Sequence, residues 1–110
     1  MSDLPENQYK WLQNIEEAIP EIPEDSIVSR TVYQDERLKV ILFGFAVGQS
    51  LSEHKASQPA TLHVLRGEAN LTLGEDAFSA QAGSWVYMAP GLPHSVTALT
   101  EMVMVLLLLK

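Results

Sequence analysis

The chain has 110 residues, no cysteine, and fourteen Asp and Glu against seven Lys and Arg, for a formal net charge of −7. That length suits one domain able to bury roughly two thirds of its extended surface, and the lack of thiols excludes disulfides, thiolate zinc sites and a cysteine nucleophile. The negative charge repels a phosphate backbone and an anionic membrane surface alike, so neither nucleic acid nor membrane is expected as a partner.

In chain order, Tyr9, Leu12, Ile15 and Ile19 recur at helical spacing and predict a short α-helix over 5–18, started at Asp3 or Leu4 with Pro5 in its first turn. Pro20 and Pro23 end it, which sets an N-terminal helix and Pro-rich join over 1–24 ahead of a β-domain over 25–110. The pattern from there on is that of strands. They are predicted over 27–35, 38–47, 60–65, 69–73, 77–80, 85–88, 94–98 and 101–109, separated by turn residues such as Gly74-Glu75-Asp76 and Pro90-Gly91-Leu92-Pro93. About eight strands at this spacing predict an all-β antiparallel barrel or double sheet. The first residues carry no basic segment followed by an apolar stretch, so no secretory signal is expected and a cytoplasmic address follows. The longest apolar run, 102–109, is far shorter than the ~20 residues of a membrane-spanning helix.

Two stretches carry spacing of a more specific kind. Gly48, His54 and Gly67 fit the pattern G-x5-H-x-H-x3/4-E-x6-G, while the second histidine falls on Ala56 and the glutamate on Ala60. Gly83, Gly91 and His94 fit G-x5-P-x-G-x2-H-x3-N, while the first proline falls on Ala89 and the asparagine on Ala98. Val64-Leu65-Arg66-Gly67-Glu68 matches the end of the first motif, and the intermotif stretch from Glu68 to Ala82 is fifteen residues. With these residues the chain resembles the cupin superfamily over about residues 38–100, and is similar to its compact single-domain members. The resemblance implies a double-stranded β-helix, the jelly-roll barrel, with the short N-terminal helix added. It also implies a site at the barrel mouth, where the family joins three histidines and a carboxylate on one metal.

Only two of those ligands remain here, His54 and His94, so the metal implied, Fe, Mn, Ni or Zn, is expected to be weakly bound or absent. Gln58 is a candidate third ligand from the loop before Pro59. Glu53 is another, although regular alternation turns it away from His54 and only a bulge would bring it in. Strand parity puts Ala56, Ala60, Leu62, Val96 and Ala98 on the inward face as the apolar lining of a pocket, and sends His63 to the opposite face. Trp85 with Tyr87, and Phe43 with Phe45, share faces that either wall a pocket or fill the core. No G-x-S-x-G or other nucleophile signature occurs.

The expected function is therefore a barrel-mouth pocket that binds a small molecule, with a divalent metal on the two histidines as an accessory and no reaction assigned. The alternative is a metal-dependent cupin enzyme of dioxygenase or isomerase type. Metal-free acid/base chemistry of the sugar-epimerase kind ranks below both, because the inward positions hold no Arg or Lys for a nucleotide sugar. Residues 40–43 and 102–109 do not alternate, so both faces of these strands require cover. The helix supplies part of that cover, and a second copy of the chain, in a homodimer, is expected to supply the rest.

Overall fold

The computed structural model describes residues 8–110 as nine antiparallel strands in two sheets, preceded by one short 3-10 turn at Ile15–Ala18. In spatial order the first sheet is β1 (Ile27–Gln34), β2 (Leu38–Phe45), β9 (Met102–Leu109), β4 (Ala60–Arg66) and β7 (Trp85–Met88). The second is β3 (Ser50–His54), β8 (His94–Ala98), β5 (Glu68–Leu73) and β6 (Asp76–Gln81). From β2 onward every connection except the β5–β6 hairpin crosses from one sheet to the other, the wrapping of a jelly roll. Among the described residues no helix is long and apolar enough to cross a membrane.

The alternation of β4 and β8 explains why the sheets face each other as they do. Ala60, Leu62 and Val64 on β4, and His94, Val96 and Ala98 on β8, are buried while the residues between them are less so. With Phe45, Leu71, Met102 and Met104, the apolar members of these rows form one core in which no residue is more than 6% exposed. Phe43 lies against it with its ring 6.3 Å from that of Phe45. Strand β9 breaks the alternation because it lies between β2 and β4 and is covered on both faces where it begins. Met102, Val103 and Met104 are all buried.

The turn between β1 and β2 is tied by Asp35, whose carboxylate accepts hydrogen bonds from the Arg37 N–H at 2.7 Å, the Tyr33 hydroxyl at 2.7 Å and the Leu38 N–H at 3.0 Å. These donors, the Arg37 N–H first, hold its pKa below the ordinary carboxylate value. The end of β9 reaches the same turn, where Lys110 N–H donates to the Arg37 carbonyl at 2.7 Å and Lys110 Nζ to the Asp35 carbonyl at 3.0 Å.

The expected α-helix over 5–18 is corrected here. Its start lies outside the described residues, and the rest forms only the four-residue 3-10 turn, with Asn14 accepting from the Glu16 N–H at its head. A segment this short is marginal as an isolated helix, and its apolar residues have a sheet to cover instead. Ile19 and Ile22 pack over β2 so closely that a Cβ on Gly44 would lie 2.8 Å from the Ile22 side chain. Leu12 and Ile15 border a shallow depression together with Val32, Leu38 and Val40 of that sheet. Arg66 adds an exposed ion pair to Glu16 at 3.0 Å, worth little by itself.

Gly67 makes the passage from β4 in one sheet to β5 in the other. Its φ is +90°, and a Cβ there would lie 2.2 Å from the Glu101 carbonyl oxygen and 2.8 Å from the Met102 Cα. Both obstacles are backbone, so neither can rotate away. Gly67→Ala is expected to destabilise the protein by about 2–4 kcal/mol, combining positive-φ strain with a main-chain clash. Urea unfolding checks this; a loss under about 1 kcal/mol would show that the crossing is pliable.

Candidate functional site

The histidine pair owes its existence to a bulge. Ser50 and Leu51 pair with Thr97 and Val96, and an unbroken ladder would next set Glu53 opposite His94. One extra residue on β3 shifts the register, and His54 takes that position instead. The shift reverses strand parity, so His54 shares a face with His94 and with the inward residues of β8. The two imidazole rings stand 4.1 Å apart between centroids, with their planes inclined at 59°.

His94 is positioned by the turn before it. The Gly91 N–H donates to the Ala56 carbonyl at 2.8 Å, the Gly74 N–H donates to the Pro93 carbonyl at 2.8 Å, and Gly91 takes a φ of +81°. The turn from Pro90 to Pro93 is thereby pinned to both the loop after β3 and the β5–β6 hairpin.

Each ring is oriented by the same local device. His54 Nδ1 lies 2.9 Å from the Ser52 carbonyl oxygen, and His94 Nδ1 lies 3.0 Å from the Leu92 carbonyl oxygen, in both cases two residues back. A carbonyl can only accept, so each Nδ1 is the donor, and an imidazole held this way presents, in its neutral form, its lone pair at Nε2. Neither Nε2 has a hydrogen-bond partner among the described residues. Among the described residues no buried side-chain nitrogen or oxygen is left unpaired, so the Nε2 of His94, a residue only 6% exposed, opens onto accessible space. His54 is exposed. Two Nε2 acceptors, both aimed by the backbone, are what the site offers to a visitor.

The remaining candidates fall into three environments. Glu53 is exposed, and among the described residues no three or more His, Asp or Glu side chains gather as a metal site. Gln58 and Ala56 are half-buried in the loop between β3 and β4. Ala60, Leu62, Val96 and Ala98 are members of the packed core, each at most 3% exposed. His63 is exposed on the outer face, beside Val105 and Trp85 in the ladder. Trp85 and Tyr87 share that outer face and are 61% and 51% exposed.

The donor set decides how a metal fits. A tetrahedral or facial site needs three or four ligands, commonly including a carboxylate. The position that the cupin pattern gives to glutamate is Ala60, a buried alanine in the core. Two imidazoles alone do not fit a resident metal ion.

A distinct half-open cavity of about 330 Å³ lies elsewhere in the barrel, where β6 and β7, the last strands of their sheets, face each other without a ladder between them. Only Leu62 of the expected pocket residues lines it; its other walls include Val64, Leu71, Leu73, Phe78 and Trp85. Phe78 was legible as an aromatic in a strand otherwise made of small and polar residues.

Known proteins give this arrangement its place. The cupin-domain family pattern matches residues 41–110. A conserved protein of unknown function from Streptococcus pyogenes superposes with a TM-score of 0.83 at 24% identity, over 100% of this chain and 96% of that one. A cupin superfamily protein from Desulfitobacterium hafniense gives 0.80 at 24% identity, over 96% and 94% of the two chains. A cupin 2 conserved barrel domain protein from Leptotrichia buccalis gives 0.77 at 32% identity, over 86% of this chain and 46% of that one. No curated protein matches the sequence. The crossing sheets, the motif glycines at positive φ and the paired histidines agree with that match, and the chain belongs to the cupin family.

Proposed function

We propose that this cupin binds a small molecule whose polar end meets His54 and His94. The observation that carries this reading is the pairing itself: two rings 4.1 Å apart, each with Nδ1 tied to a carbonyl and Nε2 free. Two adjacent acceptors suit a ligand with hydroxyl or amino donors. They also suit a divalent cation passing between solvent and ligand, held too weakly by two imidazoles to remain. Turnover of the dioxygenase or isomerase type calls for a third donor, and among the described residues no carboxylate joins the pair.

The working unit in this reading is a homodimer built on the outer face of the first sheet. The N-terminal segment covers the β1–β2 half. Ladder register then aligns Val40, Leu107, Thr61 and Tyr87 in one outward row, and Leu42, Val105 and His63 in the next, with Trp85 at the free edge of the sheet left outside the contact. Neither row contains Asp, Glu, Lys or Arg, so two copies of a chain with a net charge of −7 can meet there without opposing like charges. Light scattering is expected to give the mass of a dimer and, for Tyr87→Glu, that of a monomer. A monomeric wild-type protein at micromolar concentration would overturn this part of the reading.

The histidine site is tested by following the imidazole nitrogens by NMR while small hydroxy and amino compounds are screened. Binders should move the Nε2 resonances of both residues, and His54→Ala/His94→Ala should weaken them at least tenfold. The double variant should stay folded, within about 2 kcal/mol of the parent, since it buries no unpaired charge. Hits that leave both Nε2 resonances unmoved would sink the proposal.

Restoring the family ligands tests the donor-set argument separately. Ala56→His/Ala60→Glu should bind Mn²⁺ or Ni²⁺ at least about 100-fold more tightly than the parent, read by calorimetry. Without metal it should be less stable than the parent, because Ala60 is buried and its carboxylate would lack a partner. Metal should then raise its melting temperature by mass action. An unchanged isotherm would mean that residues 56 and 60 do not converge on the histidines.

A further inference from the structure

We infer that the cleft between β6 and β7 is a second ligand site, for an uncharged two-ring aromatic compound bearing one hydrogen-bond acceptor. Three observations support it, and none involves the histidine pair.

The first is architectural. β6 ends the second sheet and β7 ends the first, no ladder joins them, and the cavity lies between these two edges. Inward residues that would otherwise meet across that seam, Leu62 and Val64 from one sheet and Leu71 and Leu73 from the other, form the floor of the opening instead. Phe78 on β6 and Trp85 on β7 stand at opposite lips, 52% and 61% exposed. Exposing two large aromatic side chains to water is unfavourable unless something covers them part of the time. A flat ring entering between them would be held by stacked or edge-to-face contacts.

The second is size. An apolar cavity of roughly 150 Å³ accepts a benzene molecule. At about 330 Å³ this one has room for a bicyclic aromatic.

The third is polarity. The walls carry no formal charge, and the chain as a whole, at −7, repels anions. Two serine hydroxyls, Ser79 and Ser84, break the apolar lining. Ser84 Oγ already accepts the Gln81 N–H at 2.9 Å, which leaves its own hydrogen free to donate. One hydroxyl donor in an apolar, ring-sized cleft selects a neutral compound with an oxygen or nitrogen acceptor.

The probe is 2-naphthol, with 2-naphthoate as its charged counterpart, titrated into the full-length protein by calorimetry and by amide NMR. Saturable binding of one naphthol per chain is expected, at least tenfold tighter than naphthoate, with shifts concentrated on β5, β6, β7 and the adjoining part of β4. Phe78→Ala and Trp85→Ala should each weaken binding at least fivefold. Both positions are more than half exposed, so the variants should fold, and their amide spectra and melting temperatures will show whether they do. The proposal fails if naphthol does not saturate, if naphthoate binds as well, if both variants bind like the parent, or if the shifts centre on His54 and His94. It fails equally if Phe78→Ala halves the mass in solution, since the lips would then be a contact between copies of the chain.

Discussion

Strand β9 is the constraint on which the rest of the structure depends. It pairs with β2 over the whole length of both strands and with β4 on its other edge, so the two halves of the first sheet are joined through it alone. Its inward Met102 and Met104 fill the centre of the core, and its outward Val103, Val105 and Leu107 demand cover on the opposite side. The N-terminal segment answers part of that demand by packing Ile19 and Ile22 over Gly44, the ladder partner of Val103. Gly44 has no side chain because those isoleucines occupy its place. A single apolar run thus explains a missing Cβ on the neighbouring strand β2, a non-helical N-terminal segment and an outer face still rich in apolar residues.

The site depends on a second local constraint, the extra residue in β3. A regular β3 would have presented Glu53 to His94, giving a carboxylate–imidazole pair. The bulge substitutes an imidazole–imidazole pair, and that is a chemical choice. A carboxylate beside a histidine orients it or takes its proton, whereas two imidazoles anchored at Nδ1 both point acceptors at a third party. Backbone carbonyls two residues back do the anchoring, so the arrangement needs no other side chain to preserve it.

Much of this could be read from the sequence, and the parts that could not share a cause. The motif glycines were legible because positive φ at Gly48, Gly67, Gly83 and Gly91 is a local requirement that only glycine meets cheaply. The alternation of Ala60 to Val64 and of His94 to Ala98 was legible because period two survives in any half-buried strand. Residues 50–54 were not assigned as a strand, since Ser-Leu-Ser-Glu-His has no apolar pattern; what makes it a strand is β8 beside it. The bulge was invisible for the same reason, because it is a property of the pair and not of either segment. The N-terminal spacing misled in the opposite sense. Tyr9, Leu12, Ile15 and Ile19 recur as a helix face would, but only a four-residue 3-10 turn forms, Tyr9 is exposed, and Ile19 with Ile22 packs on the sheet instead, so tertiary contact overrides periodicity in so short a stretch. The β6–β7 cleft arises from a ladder that does not form, and no residue in either strand announces that.

The alanines at the family's ligand positions have a consequence for how this barrel folds. A cupin that carries a buried glutamate and three histidines must either bind metal or leave polar groups unpaired in its interior, so its stability is linked to metal. Here Ala60, at the glutamate position, and Ala98, at the asparagine position of the second motif, lie in the core at 2% and 1% exposure, continuous with Leu62, Val96 and Met88. The hydrophobic layer extends to the foot of the histidine pair without a charge to neutralise. Removing the carboxylate therefore separates folding from ligation: the scaffold stands on apolar packing, and the two histidines at its mouth are free of any structural duty that a metal would have to satisfy. Each ring is held at Nδ1 by a backbone carbonyl and stands beside the other, and this is the arrangement on which the proposed recognition rests.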